Sequence, residues 1–239
     1  IMNNLIAVTI GVIKGIGIEI LIREWRNKKL KNFVLICNYN LFKKYIISKK
    51  ISFKVFKTSI KNNKLIFSNN KFNIFNIKAT NYNQNTFLSL NKSYELTKKN
   101  FFIGIVTLPI NKKKINKIKP NFIDQTTFFS KKDNKKNSNI IFIYKNIFFV
   151  TLTGHIKLKN VSDKFKKYKY FIEKIKNLHF SLIRDFNINK PKFITAGINP
   201  HIGEEGLISK EDVKYFKPII SKLKQRNINI EGPNSADSI

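Results

Sequence analysis

Short apolar runs that alternate with longer helical stretches restrict the fold of this chain more than any other feature. Four of these runs lie at residues 5–10 (LIAVTI), 33–37 (FVLIC), 101–108 (FFIGIVTL) and 193–198 (FITAGI). Their short length and β-branched residues predict buried strands. The helical stretches between the first three runs lie at residues 18–25, 41–47 and 82–100. Strands that alternate with helices are typical of an α/β fold with a mostly parallel sheet.

The C-terminal half has the clearest helices. Residues 162–186 carry an apolar side chain at every third or fourth position, which predicts one amphipathic helix. Residues 209–226 predict a second helix, with Ser209 and Asp212 at the spacing of a capping box and a bend at Pro218. Residues 140–144 and 147–153 predict two strands around a turn at Lys145.

The charge of the chain first suggests a nucleic-acid partner. Its 239 residues include 46 Lys plus Arg and 14 Asp plus Glu, which gives a net charge of +32. Only four of the basic residues are arginine, the side chain that pairs bidentately with guanine or phosphate, and the lysines are spread over the whole chain. Lys, Asn, Ile, Phe and Tyr have AT-rich codons, so codon bias accounts for this composition. We therefore expect no specific nucleic-acid partner, and a basic binding module stays as an alternative.

The remaining composition indicates a folded protein in a reducing compartment. Hydrophobic residues make up 42% of the chain, which is enough to build a sizeable core. Cys37 is the only cysteine, so no intrachain disulfide forms, and a lone thiol fits the cytoplasm. No apolar stretch is long enough to span a bilayer, so we expect no membrane partner.

Two histidines follow predicted strands. His155 ends the segment LTGH and His201 ends AGINPH, so both lie where open α/β sheets place their ligand sites. Two imidazoles can hold a divalent metal only with a third ligand. The loop at residues 197–206 (GINPHIGEEG) combines glycines, a proline, a histidine and acids, which indicates a functional loop. The glycines of GVIKGIG, at residues 11–17, match neither a dinucleotide-binding fingerprint nor a phosphate-binding P-loop.

Six segments, in the family's order along the chain, resemble the 4-hydroxythreonine-4-phosphate dehydrogenase family of pyridoxal phosphate biosynthesis. ITAGINPHIGEEGLISKEDV and the later EGPNSADS resemble the family's GLNPHAGEGG loop, acidic helix and GPxPADT. VTIGVIKGIGIEI resembles GDPAGIGPE, and TLPINKKKIN resembles TAPINKxxIN. PNFIDQTTFF resembles PFxGHTEFL, and LTGHIKLKNV resembles TTHLPLKDV. The resemblance runs along the whole chain.

The resemblance implies an α/β fold of two domains like those of isocitrate and isopropylmalate dehydrogenases. It places a first domain at residues 1–130 and a second, with the metal-binding loops and the dimer interface, at residues 131–239. The family oxidises 4-phosphooxy-L-threonine with NAD or NADP, and the β-keto acid loses carbon dioxide to give 3-amino-2-oxopropyl phosphate. The resemblance also implies a homodimer with the site at the subunit interface, and it leaves the cofactor-binding residues unknown.

The site residues implied by the resemblance fall into three groups. His155 and His201 take the places of two ligands of a divalent metal (Zn, Mg or Co), and the family's third histidine comes from the partner subunit. The substrate-binding positions are Thr126, Gln125 and Asn111. The catalytic positions are Asp237 and Lys112.

The chain also departs from the family pattern. Val12 and Ile13 replace an acid and a proline, and Gln125 replaces a substrate-contacting histidine. The family continues beyond the position of Ile239 with a segment that completes the first domain and supplies the third metal histidine. We therefore expect a C-terminally incomplete fold. The alternatives are a truncated or decayed homologue with little activity, and a related dehydrogenase for another phosphorylated hydroxy acid.

Overall fold

The structure is a computed structural model that describes residues 4–135, 138–154 and 156–239. The chain divides into two compact units, Ile1–Phe129 and Ser130–Ile239. No helix in the described ranges is both long and apolar enough to cross a membrane.

The first unit is built on a six-stranded sheet. Its strands are β1 (Ile6–Thr9), β2 (Phe33–Cys37), β3 (Val55–Lys61), β4 (Lys64–Ile66), β5 (Phe72–Asn76) and β6 (Gly104–Thr107). They lie in the order β4-β3-β5-β2-β1-β6, and every pairing except that of β3 with β4 is parallel. The α/β class and the mostly parallel sheet predicted from the sequence are confirmed.

Helices cover both faces of this sheet, which is why its central strands are apolar without alternation. The helices of the unit are α1 (Ile16–Arg26), α2 (Tyr39–Ser48), α3 (Tyr82–Lys98), α4 (Lys112–Asn116) and α5 (Gln125–Lys132). α1 and α2 pack with Leu35 and Phe72 in one core cluster. α3 packs with Val34 and Ile36 in a cluster on the other face.

The helix α3 buries polar side chains against the sheet, which explains its weak apolar pattern. The Ser89 hydroxyl accepts a hydrogen bond from the Ile10 amide (3.0 Å) and donates one to the Ile36 carbonyl (2.5 Å). The Thr86 hydroxyl donates to the Gly11 carbonyl at 2.6 Å. These bonds satisfy backbone groups at the carboxyl ends of β1 and β2, where the strand ladder stops.

The second unit begins with an antiparallel hairpin and continues with helices around a short parallel sheet. Its elements are β7 (Ile141–Tyr144), β8 (Ile147–Val150), α6 (Val161–Phe165), α7 (Tyr168–Phe186), β9 (Phe193–Ala196), α8 (Lys217–Lys224) and β10 (Ile230–Asn234). Three 3₁₀ segments, Leu158–Asn160, Pro200–Gly206 and Ala236–Ser238, and a π-helical turn at Asp212–Phe216 complete it. β9 and β10 pair in parallel, and α7 and α8 supply most of the core.

Two of the predicted helices differ in detail from the structure. The helix predicted over residues 162–186 is broken between Phe165 and Tyr168, and the break allows Phe165 to stack on Phe171 with 4.3 Å between ring centroids. Six residues of continuous helix make about one and two-thirds turns, so these two rings would otherwise point in different directions. The helix predicted over residues 209–226 begins at the π-helical turn, and Pro218 lies in the first turn of α8, where its missing amide is tolerated.

Candidate functional site

The loops that follow β1 and β6 lie side by side at the carboxyl edge of the first sheet. The Val12 amide donates to the Pro109 carbonyl at 2.9 Å, which joins the two loops directly. Gly11 has a left-handed φ of 58°, and a Cβ atom there would lie 2.6 Å from the Pro109 oxygen. A Cβ atom on Gly17 would lie 2.7 Å from the Pro109 ring. Gly11 and Gly17 of GVIKGIG therefore serve the close approach of these two loops.

The predicted residues Asn111 and Lys112 lie on the second of these loops. The Asn111 side-chain oxygen accepts a hydrogen bond from the Lys114 amide at 3.1 Å and so caps α4. Lys112 is the first residue of α4 and is exposed. Its ammonium group forms no ion pair within the described ranges.

Gln125 and Thr126 begin α5, and Gln125 reaches the same loop. The Gln125 amide nitrogen donates to the Leu108 carbonyl at 3.1 Å. The Asp124 carboxylate caps the helix by accepting from the Thr127 amide at 2.7 Å. Thr126 is exposed beside them. The structure therefore brings Asn111, Gln125 and their neighbours together at one edge of the sheet.

In the second unit, a buried carboxylate holds the loop that carries His201. Asp212 is fully buried, and its two oxygens accept hydrogen bonds from the Ile198 amide (2.7 Å), the Asn199 amide (3.1 Å) and the Asn199 side chain (3.1 Å). His201 and Ile202 have left-handed φ values of 48° and 59°, which are uncommon for these residue types. The three hydrogen bonds that this one carboxylate accepts help to hold the strained turn.

His201 lies beside a serine that also contacts Asp237. The His201 Nδ1 atom is 3.4 Å from the Ser235 hydroxyl, which donates a short hydrogen bond to the Asp237 carboxylate. That hydrogen bond, a backbone hydrogen bond and the nearby His201 lower the pKa of Asp237. The carboxylate is therefore ionised at neutral pH. The structure brings these two predicted site residues together, and both are exposed.

The described residues do not complete a metal site. His155 lies outside them, and they contain no group of three His, Cys, Asp or Glu side chains that could hold a metal ion. His201 and Asp237 are the two potential ligands that the described part of the second unit brings together. The metal-binding roles of His155 and His201 therefore stay predictions.

The structure adds one residue, Lys174, that was not predicted from the sequence. Lys174 of α7 is buried, and its ammonium group donates to the carbonyls of Thr151 (3.0 Å) and Leu152 (2.9 Å), where the LTGH segment begins. Burial and the charge of Lys164 lower the pKa of Lys174. The signal in the sequence is a lysine within the apolar stripe of α7, three residues after Phe171.

Functional loops at the carboxyl edge of a doubly wound sheet define a ligand-binding α/β protein. The profile of the family described as "Pyridoxal phosphate biosynthetic protein PdxA" matches residues 29–239. The chain belongs to this family.

Two relatives agree with this family, and a solved structure agrees with the fold. The chain is similar to the 4-hydroxythreonine-4-phosphate dehydrogenase of Wigglesworthia glossinidia brevipalpis, with 28% identity over 100% of this chain and 75% of that protein. It is similar to the enzyme of the same name from Colwellia psychrerythraea, with 34% identity over 58% of this chain and 42% of that protein. The crystal structure of the Klebsiella pneumoniae 4-hydroxythreonine-4-phosphate dehydrogenase superposes with a TM-score of 0.86 at 19% identity, over 100% of this chain and 76% of that chain. The fold is therefore of the isocitrate dehydrogenase-like class, and these two relatives and the solved structure are longer than this chain.

Proposed function

We propose that the protein is a 4-hydroxythreonine-4-phosphate dehydrogenase that uses NAD or NADP in pyridoxal phosphate biosynthesis, in the cytoplasm. The proposal rests on the match of the family profile to residues 29–239. In this reaction, the alcohol carbon of 4-phosphooxy-L-threonine gives a hydride to the nicotinamide, and the hydroxyl group loses its proton. The resulting β-keto acid releases carbon dioxide and gives 3-amino-2-oxopropyl phosphate.

The proposal gives each predicted site residue a role that fits its charge or its hydrogen-bonding groups. Asp237, ionised at neutral pH, is the proposed acceptor of the hydroxyl proton. Lys112, exposed at the start of α4, supplies positive charge for the anionic substrate. Asn111 and Thr126 are the proposed hydrogen-bonding groups for that substrate. The nicotinamide cofactor accepts the hydride, and no residue is assigned to its binding.

A divalent ion held by His155 and His201 is a separate part of the proposal. The described residues do not complete its coordination, so no step of the reaction is assigned to it. Calorimetric titration with Zn²⁺, Mg²⁺ or Co²⁺ tests this part. We expect stoichiometric binding to the protein and its loss in His201→Ala, and stoichiometric binding that persists in the variant would contradict the assignment.

The surface of the second unit supports a homodimer. The hairpin of β7 and β8 carries no charged residue on its strands, and Phe142, Ile143, Tyr144 and Phe149 are each more than half exposed. A two-stranded hairpin is marginal by itself, and an apolar patch on such a basic protein favours burial against another surface. We propose a second copy of this chain as that surface, and sedimentation velocity of the wild type and of Phe142→Lys tests it.

A related dehydrogenase with another phosphorylated hydroxy acid as substrate is the second candidate. The observation in its favour is Gln125, whose amide donates to the Leu108 carbonyl and carries no charge. The experiment is a substrate panel, with NAD(P)H formation measured for 4-phosphooxy-L-threonine, 4-hydroxy-L-threonine and phosphorylated hydroxy acids that lack the amine. The first candidate predicts the highest kcat/KM with 4-phosphooxy-L-threonine, and a higher value with an acid lacking the amine would favour the second. Turnover of none of them would favour a homologue with little activity.

A further inference from the structure

A small pocket lies where the strand order of the first sheet reverses. β1 pairs with β2 on one side and with β6 on the other. The helix after β1 joins one core cluster, whereas Ile115 of α4, after β6, packs with Leu90 of α3 on the other face. Connections that diverge in this way leave a crevice at the carboxyl edge, which is where α/β sheets bind ligands.

The crevice holds a cavity of about 90 Å³. Its lining residues are Val12, Ile13, Lys14, Tyr82, Asn83, Thr86, Asn111, Lys114 and Ile115. This volume is far smaller than the roughly 300–1,000 Å³ of typical ligand pockets. It therefore suits a tetrahedral oxyanion better than a sugar or a nucleotide base.

The charge of the pocket is wholly positive. Lys14 comes from the loop after β1 and Lys114 from α4, and no acidic side chain lines the cavity. Neither lysine forms an ion pair within the described part of the chain. The Lys14 ammonium lies 5.9 Å from the centre of the Tyr82 ring, which offers only a weak attraction to the cation. An anion bound in the cavity would be attracted by the positive charge of both lysines.

Among the neutral polar side chains of the pocket, that of Asn111 can donate to a ligand, whereas the Thr86 hydroxyl cannot. The Asn111 oxygen is engaged by the Lys114 amide, which leaves the NH₂ group of Asn111 as its free hydrogen-bonding end. The Thr86 hydroxyl already donates to the Gly11 carbonyl. A ligand with several acceptor oxygens therefore matches Lys14, Lys114 and Asn111 together.

We infer that this pocket binds the phosphate group of a small metabolite, with Lys14 and Lys114 as its charged ligands. The family pattern has alanine at the position of Lys14 and leaves the position of Lys114 unspecified. Lys14 and Lys114 therefore go beyond the residues that the resemblance assigns, whereas Asn111 is one of those residues. For Asn111 the inference rests on the proposed function, but phosphate binding requires no turnover and is tested without it.

The test is a ¹H–¹⁵N NMR titration of the protein with inorganic phosphate at low salt. We expect saturable shifts of the amide signals of Lys14 and Lys114 and their neighbours. Lys14→Ala and Lys114→Ala each weaken binding by about tenfold, since each removes one charge-assisted contact. Lys14→Arg retains binding. Lys113→Ala is the matched control, because Lys113 is exposed on the same helix and does not line the cavity.

The control separates a defined site from general attraction to a basic surface. Equal weakening by Lys113→Ala, or shifts spread over lysines throughout the chain, would overturn the inference. Competition with O-phospho-L-threonine and with ADP then identifies the source of the phosphate. Displacement of inorganic phosphate by either compound supports the site and identifies the class of metabolite that it binds. If neither compound displaces inorganic phosphate, the inference that the pocket binds the phosphate group of a metabolite is refuted. Phosphate binding without dehydrogenase activity would retain the pocket and reject only the proposed function.

Discussion

The substitution Asp212→Asn should release the loop that carries His201. The two carboxylate oxygens accept three hydrogen bonds, and an asparagine has one acceptor oxygen and one NH₂ group in their place. The best placement of the amide keeps the two bonds from Asn199 and turns the NH₂ group towards the Ile198 amide. One donor is then left facing another donor in a fully buried site.

The magnitude follows from the bonds that change. A hydrogen bond to a charged group contributes about 1.5–3 kcal/mol, and losing the charge weakens each of the other two by about 0.5–1 kcal/mol. The sum is a loss of about 2.5–5 kcal/mol in the free energy that holds the loop closed. Each 1.4 kcal/mol corresponds to a factor of ten, so opening becomes roughly 60 to 4,000 times more frequent.

Amide hydrogen exchange at Ile198 and Asn199 measures this opening directly, because these two amides donate to Asp212. The neighbouring Glu211→Gln is the control, since the Glu211 carboxylate makes only a 3.5 Å contact with Ser162. We expect the control to exchange like the wild type. Exchange at Ile198 and Asn199 that is less than threefold faster in Asp212→Asn would refute the role of this carboxylate.

Two further substitutions test the packing of the units. Ser89→Ala leaves the buried Ile10 amide and Ile36 carbonyl without their partner. The free energy of unfolding, measured by urea titration, should therefore fall by about 2–4 kcal/mol. A loss below about 1 kcal/mol would contradict this role of Ser89. Burial lowers the pKa of Lys174 from 10.5. Between the lowered pKa and 10.5, the unfolded chain therefore binds more protons than the folded chain. The free energy of unfolding should rise with pH across this window. Lys174→Met should flatten that rise, and an unchanged slope in the variant would count against the buried ammonium as its cause.

Periodicity and run length predicted most elements of the fold because they report burial directly. The strands at residues 33–37 and 101–108 and the hairpin around Lys145 appear where the sequence indicates them. The weak pattern of α3 has a tertiary cause, since its buried serines satisfy strand ends that are distant in sequence. The break before α7 depends on a contact between Phe165 and Phe171 that no local propensity contains.

The candidate site was predicted less completely than the fold. The motifs locate Asn111 and His201, because those residue types stand in characteristic segments. The role of Asp212 was not predicted, since capping-box spacing suggests a partner on its own helix, whereas the structure turns it towards the amide of Ile198. Nothing in the sequence distinguishes Lys14 from the other lysines among the 42 of the chain. Only the strand order shows that it lies in the crevice beside β6.

The formation of NADH or NADPH from 4-phosphooxy-L-threonine, followed by absorbance at 340 nm, tests the proposed dehydrogenase most directly. The assay compares the protein, with divalent metal present, with its Asp237→Asn variant, which keeps the size of the side chain and removes its charge. We predict cofactor reduction that depends on substrate and falls by at least about a hundredfold in the variant, as expected for loss of a proton acceptor. Equal rates in the two proteins, or no reduction by either, would contradict the account.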